Sequence, residues 1–222
     1  MTELTRLKGP EAAPASGRDP QSMVILLHGY GSNGADLMGL VPYWRASLPD
    51  AVFMAPNAPE NCPGAPGGYQ WWSLADLGEK SRAAGVRQAA PLVNAFIDIH
   101  RTSYGLPNSK VALVGFSQGT LMALHVGPRR SEVLAGIVGY SGMLADAEAL
   151  QAEVKTKPPV LLVHGDADQT VPFAAMGQAE VEFKCMGFEI STHAARGLGH
   201  SIDEAGLRLG GEFLARVLSS VG

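Results

Sequence analysis

The chain has 222 residues, 46% of them hydrophobic and 17% charged, which is enough to bury a core within one domain. Lys and Arg number 17 against 21 Asp and Glu, and the net charge of −4 argues against a nucleic-acid or anionic-membrane partner. Apolar runs such as Met23–Leu27 are far shorter than the roughly 18 residues that span a bilayer. Stable membrane insertion is therefore not expected. No signal-peptide pattern precedes Met23, which predicts a cytoplasmic protein.

The two cysteines, Cys62 and Cys185, lie far apart and belong to neither a C-x-x-C pair nor a Cys/His cluster. The sequence therefore predicts two free thiols and no bound metal. Cys185 falls in an amphipathic helical pattern and is expected to pack as a small hydrophobic residue.

The segment from Gly9 to Gln21 is rich in Pro, Ala, Gly and Ser, so residues 1–21 are predicted to form an irregular N-terminal arm or a loose hairpin. Short apolar, β-branched runs then alternate with longer stretches of helical period. The predicted strands are Val24–Leu27, Ala51–Met54, Val111–Val114, Ala135–Tyr140, Val160–Val163 and Glu189–Ala194. The predicted helices are Ala35–Ser47, Ala84–Tyr104, Gln118–Gly127, Ala145–Glu153, Phe173–Met186 and Glu204–Ser219. Pro91 should kink the second helix or start a fresh turn within it.

This alternation predicts an α/β fold made of a single domain over residues 1–222. Strands that are apolar throughout and separated by helices imply a mostly parallel central sheet with helices on both faces. Only about 15 residues separate Gly142 from Pro158, so no large cap domain is expected after that strand.

One segment breaks this rhythm, the Pro/Gly-rich loop of residues 55–79. It carries Tyr69, Trp71 and Trp72 and is too rich in proline and glycine for a helix or a central strand. Long loops in compact domains are usually functional, so at least one tryptophan is expected to line an active-site pocket rather than the interior.

The strongest motif is G-x-S-x-G at Gly115-Phe-Ser117-Gln-Gly119. A predicted strand runs into it and a predicted helix runs out, which is the setting of a nucleophile elbow. Side chains at 115 and 119 would collide with the strand and the helix. The alternative is that Ser117 merely caps the helix N-terminus.

A serine nucleophile needs a base and an acid, and both follow downstream. His164-Gly-Asp166-Ala-Asp168 comes at the end of a buried strand, and His200 lies between glycines in a loop before the last helix. We assign His200 as the base and prefer Asp168 to Asp166 as the acid, with Asp166 expected to brace the turn. The other five histidines lie in or beside predicted strands and helices, where a structural role is expected.

An oxyanion formed by attack on a carbonyl needs hydrogen-bond donors. The backbone N–H of Gln118, at a helix N-terminus, is one candidate, and that of Tyr30, in the glycine-rich loop after the first core strand, is the other. Such a loop can also be a plain turn between a strand and a helix. The substrate-binding walls are predicted to include Tyr30 again, together with Trp71, Trp72, Met143, Phe173 and Leu198.

The set LLHGYGSNGADL, GFSQG, HGDADQTVPF and GLGH resembles the carboxylesterase/acyl-protein thioesterase family of α/β-hydrolases, the phospholipase/carboxylesterase group. The resemblance covers the chain from about Met23 to Leu218. It implies an α/β-hydrolase fold and a Ser-His-Asp esterase that needs no cofactor. It places the triad on Ser117, Asp168 and His200 and the oxyanion amides on Tyr30 and Gln118. The segment CPGAPGGYQWW departs from the family pattern.

The leading functional hypothesis is a serine hydrolase that cleaves carboxylic esters of short to medium acyl chains through an acyl-enzyme. A lysophospholipase or acyl-protein thioesterase acting on long acyl chains is the alternative. A non-catalytic binding module of the same fold is a hypothesis of another class, and the intact set of Ser117, Asp168 and His200 argues against it. The expected partner is a small ester or thioester substrate, with a homodimer possible.

Overall fold

The computed structural model describes residues 6–219, in which a seven-stranded sheet forms the centre of the molecule. The strands of the chain are β1 (Glu11–Ala12), β2 (Ser22–Leu27), β3 (Ala51–Met54), β4 (Glu60–Asn61), β5 (Tyr69–Gln70), β6 (Val111–Phe116), β7 (Gly136–Tyr140), β8 (Val160–Gly165) and β9 (Ile190–Ala195). The central sheet has the order β1-β3-β2-β6-β7-β8-β9, and only β1 runs antiparallel to its neighbour. The mostly parallel sheet and all six predicted strands are confirmed, with ends that differ by at most two residues.

Helices cover both faces of this sheet, as predicted. The helices are α1 (Gly34–Met38), α2 (Val41–Trp44), α3 (Glu79–Ser103), α4 (Gln118–Arg129), α5 (Ala147–Glu153), α6 (Ala174–Cys185) and α7 (Glu204–Ser219), with a short 3-10 turn at Asn108–Lys110. Buried side chains of α3 to α6 form one apolar core, and those of α1, α2 and α7 form the other. In β2, Met23, Ile25 and Leu27 face the first core, while Val24 and Leu26 face the second, because successive strand residues alternate between faces. Within residues 6–219 no helix is both long and apolar enough to cross a bilayer.

Two predicted helices differ from the structure. The expected helix Ala35–Ser47 is two short helices, α1 and α2, because the second begins around Pro42, which cannot donate a hydrogen bond to a preceding turn. The second predicted helix begins five residues early, at Glu79, and continues through Pro91. The packing of its buried face stabilises the helix at Pro91, where the proline removes one backbone hydrogen bond.

The N-terminal arm is more ordered than its composition predicts. Residues 1–5 lie outside the described part of the chain, but Glu11 and Ala12 pair with Met54 and Phe53 at the edge of the sheet. A two-residue strand has no periodicity from which to predict it. The prediction for Cys185 is wrong: it lies on the solvent-exposed side of α6, whereas Cys62 is buried, and both thiols are free.

The Pro/Gly-rich loop of residues 55–79 is partly regular. Strands β4 and β5 pair within it as a small antiparallel hairpin, and Ser32 in the loop after β2 bridges to Tyr69. The chain then returns into the molecule at Trp71 and Trp72, which are 2% and 4% exposed and belong to the first core. The turns of this loop therefore face solvent, while its aromatic end packs into the core, which its composition did not indicate.

We expect Gly85→Ala to lower the free energy of unfolding by about 1–3 kcal/mol, because a Cβ at Gly85 would overlap the Trp72 ring. Alanine is otherwise the better helix former by roughly 1 kcal/mol. Gly177→Ala in α6 is the matched control. No heavy atom lies within 4 Å of its added Cβ, so it should stabilise by roughly 0.5–1 kcal/mol. Denaturant unfolding of both variants checks this, and a stabilised Gly85→Ala would mean that Trp72 moves off α3 without cost.

Candidate active site

Ser117 occupies the turn between β6 and α4. Its φ of 52° and ψ of −118° lie where residues other than glycine rarely occur. Holding such a conformation costs on the order of 1–3 kcal/mol. The Ser117 side chain makes no capping hydrogen bond to α4, so the helix-cap interpretation of the motif is wrong. The Ser117 hydroxyl is therefore not used to cap the helix.

The two glycines of the motif allow three backbone segments to meet at this turn. A Cβ at Gly115 would overlap the backbone of Gly119, and a Cβ at Gly119 would overlap the Leu27 carbonyl at the end of β2. The Thr120 hydroxyl lies 2.8 Å from the carbonyls of both Gly115 and Tyr140 and ties the turn to β7. The structure thus confirms the prediction that side chains at positions 115 and 119 would collide with neighbouring backbone.

Asp168 follows the end of β8 with its carboxylate shielded from solvent. Its Oδ1 accepts hydrogen bonds from the Thr170 and Val171 backbone N–H groups at 2.8 and 2.9 Å, and its Oδ2 lies 2.7 Å from Nδ1 of His200. Burial alone would raise the pKa of Asp168, but the hydrogen bonds from His200, Val171 and Thr170 outweigh it and lower the pKa. The carboxylate is therefore ionised at neutral pH.

His200 lies in the loop between β9 and α7. Because the ionised Asp168 only accepts hydrogen bonds, Nδ1 of His200 carries a proton, and in the neutral ring Nε2 is then an acceptor. The imidazole packs on Phe116, with ring centroids 5.0 Å apart. The structure thus brings His200 and Asp168 into hydrogen-bond contact and sets the imidazole beside the residue that precedes Ser117.

The loop that carries His200 is anchored to the end of β8. A Cβ at Gly165 would overlap the Leu198 carbonyl, so the two backbones meet closely there. Asp166 accepts a 2.6 Å hydrogen bond from the Gly197 backbone N–H. Asp166 therefore braces the loop before His200, while Asp168 contacts His200 itself.

His164, near the end of β8, is a second histidine beside the acid. Its Nε2 lies 3.0 Å from the Val171 carbonyl and 3.3 Å from Oδ2 of Asp168. Since a carbonyl only accepts, Nε2 carries the proton. His164 is buried, and its hydrogen bond joins the strand to the turn that holds the acid, in keeping with the structural role expected for it.

The loop after β2 packs against Ser117. A Cβ at Gly29 would lie 3.2 Å from Cβ of Ser117. The backbone N–H groups of Tyr30 and Gln118 donate to no protein group within residues 6–219. The Tyr30 phenol is partly exposed and hydrogen bonds with Cys62, which raises the pKa of Tyr30.

Buried His28 fixes the shape of this loop. Its Nε2 accepts from the Ala58 N–H at 2.9 Å, so its Nδ1 donates to the Gly29 carbonyl at 2.7 Å. Burial lowers the pKa of His28 and keeps the ring neutral, as this pair of hydrogen bonds requires. The Trp71 indole N–H donates to the His28 carbonyl at 2.9 Å, which joins this loop to the Pro/Gly-rich loop.

Gln118 has a second connection to the same loop, through its side chain. Its Oε1 accepts from the Trp71 backbone N–H at 3.0 Å, and its Nε2 donates to the Trp72 carbonyl at 2.9 Å. Both ends of the amide are therefore satisfied by backbone. The residue directly after Ser117 holds the two tryptophans in place, a role that the motif did not predict.

A cavity of about 450 Å³ opens beside Ser117. Its lining residues are Trp72, Leu74, Leu77, Arg82, Ser117, Gln118, Leu121, Met143, Thr170, Val171 and Pro172. Of the predicted wall residues, Trp72 and Met143 are in this set. Tyr30, Trp71, Phe173 and Leu198 are not, and Trp71 instead fills the core.

The lining residues that sequence reasoning missed fall into two groups. Leu121 is one helical turn past Ser117, and Thr170 to Pro172 begin two residues after Asp168, so their closeness in sequence to predicted catalytic residues was a usable signal. Leu74 and Leu77 gave none, because the path of their loop has no periodicity, and Arg82 gave none because it lies in the part of α3 that precedes the predicted helix start.

Comparison with known proteins agrees with this geometry. Residues 11–218 match the sequence profile of the phospholipase/carboxylesterase family. The chain is similar to esterase YpfH of Escherichia coli strain K12, at 28% identity over 85% of this chain and 79% of that protein. It is also similar to acyl-protein thioesterase 1 of Neurospora crassa, at 30% identity over 90% of this chain and 88% of that protein.

Among solved structures, that of esterase PE8 superimposes with a TM-score of 0.92 and 42% identity, over 96% of this chain and all of that one. The matches extend over the sheet, the Ser117 turn and the His200 loop together. The chain belongs to the phospholipase/carboxylesterase family of α/β-hydrolases and is an ester hydrolase.

Proposed function

We propose that Ser117 is the nucleophile of this hydrolase and that His200 and Asp168 complete a catalytic triad with it. The observation that carries the proposal is the His200–Asp168 hydrogen bond beside the strained turn at Ser117. Asp168 fixes the tautomer in which Nε2 of His200 is free to accept a proton. A serine held at positive φ with no capping bond has its hydroxyl available for attack.

In the proposed reaction the Ser117 hydroxyl adds to the ester carbonyl while His200 removes its proton. The tetrahedral intermediate collapses, the alcohol leaves with the proton from His200, and an acyl-Ser117 ester remains. Water then attacks the acyl-enzyme with His200 again as base, and the carboxylic acid is released. The overall reaction consumes one water molecule and requires no cofactor.

The backbone N–H groups of Tyr30 and Gln118 are proposed as the oxyanion donors. Gln118 follows Ser117 directly, Tyr30 follows Gly29, which packs against Ser117, and neither N–H has a partner within residues 6–219. Loss of one such donor in other hydrolases costs on the order of 10²–10³ in kcat. The Gln118 side chain cannot compete for this role, because it is bound to the Trp71–Trp72 backbone.

Short to medium acyl esters are the proposed substrates. The cavity of about 450 Å³ lies toward the lower end of the range for small-molecule sites, and its walls are mainly apolar. A thioester of the same acyl length fits the same chemistry, and one relative is named an acyl-protein thioesterase. The cytoplasmic location, the possible homodimer and the absence of a nucleic-acid partner stay predictions of the sequence.

The test of the substrate class is a panel of 4-nitrophenyl esters from acetate to palmitate, with butyryl and palmitoyl thioesters alongside. We expect kcat/KM to be greatest for short or medium chains and to decline by palmitate. A maximum at palmitate, with the thioester preferred to the ester, would favour the long-chain thioesterase alternative. No turnover of any member would contradict the proposal.

Ser117→Ala should lose on the order of 10³ or more in kcat and all labelling by a fluorophosphonate, because no other nucleophile replaces the hydroxyl. Ser141→Ala is the matched control, since Ser141 is also a non-glycine residue at positive φ but is buried, with its hydroxyl 3.3 Å from the Ser201 carbonyl. Peptide mapping of the adduct checks both variants. Label on a serine other than Ser117 would sink the assignment.

Asp168→Asn should lose on the order of 10³–10⁴ in kcat, because a neutral amide no longer stabilises the protonated His200 or selects its tautomer. Asp166→Asn is the control two residues away. It weakens one hydrogen bond to Gly197 and should cost about 1 kcal/mol of stability with far less effect on turnover. Measuring kcat and Tm for both separates the roles, which must be exchanged if Asp166→Asn is the inactive variant.

A further inference from the structure

Two buried nitrogen atoms on side chains that line the cavity beside Ser117 have no hydrogen-bond partner within residues 6–219. They are Nε1 of Trp72 and Nε of Arg82, and both residues line the cavity. A buried donor without a partner costs roughly 1–3 kcal/mol, so such donors are uncommon in native proteins. Both atoms are enclosed in this structure, so the part of the cavity wall that an acceptor from outside the chain can reach is the rest of the partly exposed Arg82 side chain.

Arg82 is also the charged residue of this wall. Among the described residues that line the cavity, none is acidic. Within residues 6–219 its side chain makes one hydrogen bond, from Nη1 to the Leu77 carbonyl, which orients the guanidinium but pairs it with no carboxylate. Glu79 and Glu182 line an adjoining cavity that Arg82 also borders, yet neither forms an ion pair with it within residues 6–219.

The contrast with Arg87, on the same helix, shows what a structural arginine looks like in this molecule. Arg87 forms ion pairs with Asp146 and Glu153 at 3.1 and 3.0 Å, and these hydrogen bonds raise its pKa. Arg82 has no such acid among the residues that the structure describes. A guanidinium in a mainly apolar, partly enclosed cavity attracts an oxyanion more strongly than one in water, because the surroundings screen it less.

We propose that the Arg82 guanidinium binds an anionic oxygen group of the substrate at a distance from the scissile carbonyl. The group is a carboxylate or a phosphate, since both offer several acceptor oxygens to a guanidinium. The enzyme would therefore prefer esters that carry a second, ionised acid. This inference rests on the proposed function, because it takes the cavity beside Ser117 as the substrate site.

The experiment compares matched pairs of neutral and anionic esters. Monomethyl adipate and dimethyl adipate have the same acyl chain and the same leaving group, and differ in a carboxylate at the far end. 1-Butyrylglycerol 3-phosphate and 1-butyrylglycerol have the same acyl group, and differ in a phosphate on the leaving group. For each pair the readout is the ratio of kcat/KM for the anionic ester to that for the neutral one.

Arg82→Gln should lower this ratio at least tenfold in at least one pair. Because the ratio is taken within one variant, any general loss of activity cancels. Lys80→Gln is the control, since it removes the same charge from the exposed part of the first turn of α3, outside the cavity. It should leave both ratios within about twofold. Arg82→Lys, which retains the charge but not the planar fork, should fall between Arg82→Gln and the wild type.

The pair whose ratio falls identifies the anion that Arg82 binds. A fall for the adipates indicates a carboxylate on the acyl chain, and a fall for the glycerol esters indicates a phosphate on the leaving group. Unchanged ratios in both pairs for Arg82→Gln would overturn the proposal. An equal fall with Lys80→Gln would also overturn it, because any positive charge at the start of α3 would then have the same long-range effect. If Arg82→Gln does not fold, Arg82→Lys decides, and wild-type ratios for it would count against the proposal. Turnover of the neutral esters tests the proposed function separately.

Discussion

The close meeting of three backbones at Ser117 is the constraint on which the rest of the site depends. The end of β2, the end of β6 and the start of α4 come together only because positions 115 and 119 carry no side chain. That packing holds Ser117 at positive φ and turns its side chain away from helix capping. The strain of order 1–3 kcal/mol is small beside the burial energy of two apolar cores on either side of the sheet, and the fold sustains it.

A second set of contacts, all made by Asp168, determines its ionisation and its position. Two backbone N–H groups and the His200 ring donate to its carboxylate, and His164 lies close by. These donors overcome the cost of burying the charge, which is the reason the pKa falls despite full burial of the side chain. Because the donors come from the Asp168 turn and from the loop before α7, the geometry of the pair depends on how firmly that loop is attached to β8. Asp166 and Gly165 provide the attachment.

The sequence predicted the parallel sheet, its six longer strands and the meeting of Asp168 with His200, because buried strands and short motifs leave strong local signals. It did not predict β1, whose two residues have no period, or the division of the first helix at Pro42. It also misjudged Trp71, since composition cannot tell where a Pro/Gly-rich loop re-enters the core. Arg82 was also missed, because it lies in the part of α3 that precedes the predicted helix start.

The two hydrogen bonds of the Gln118 side chain couple the nucleophile turn to the wall of the substrate cavity. Gln118 holds the backbone of Trp71 and Trp72, while its own backbone N–H has no partner within residues 6–219. Any rearrangement of the loop that admits a different substrate must pull on the helix start that supports the reacting group. Evolution along this loop is then constrained by epistasis with position 118, and changes in substrate range will be accompanied by changes in turnover number unless the Gln118 contacts are preserved.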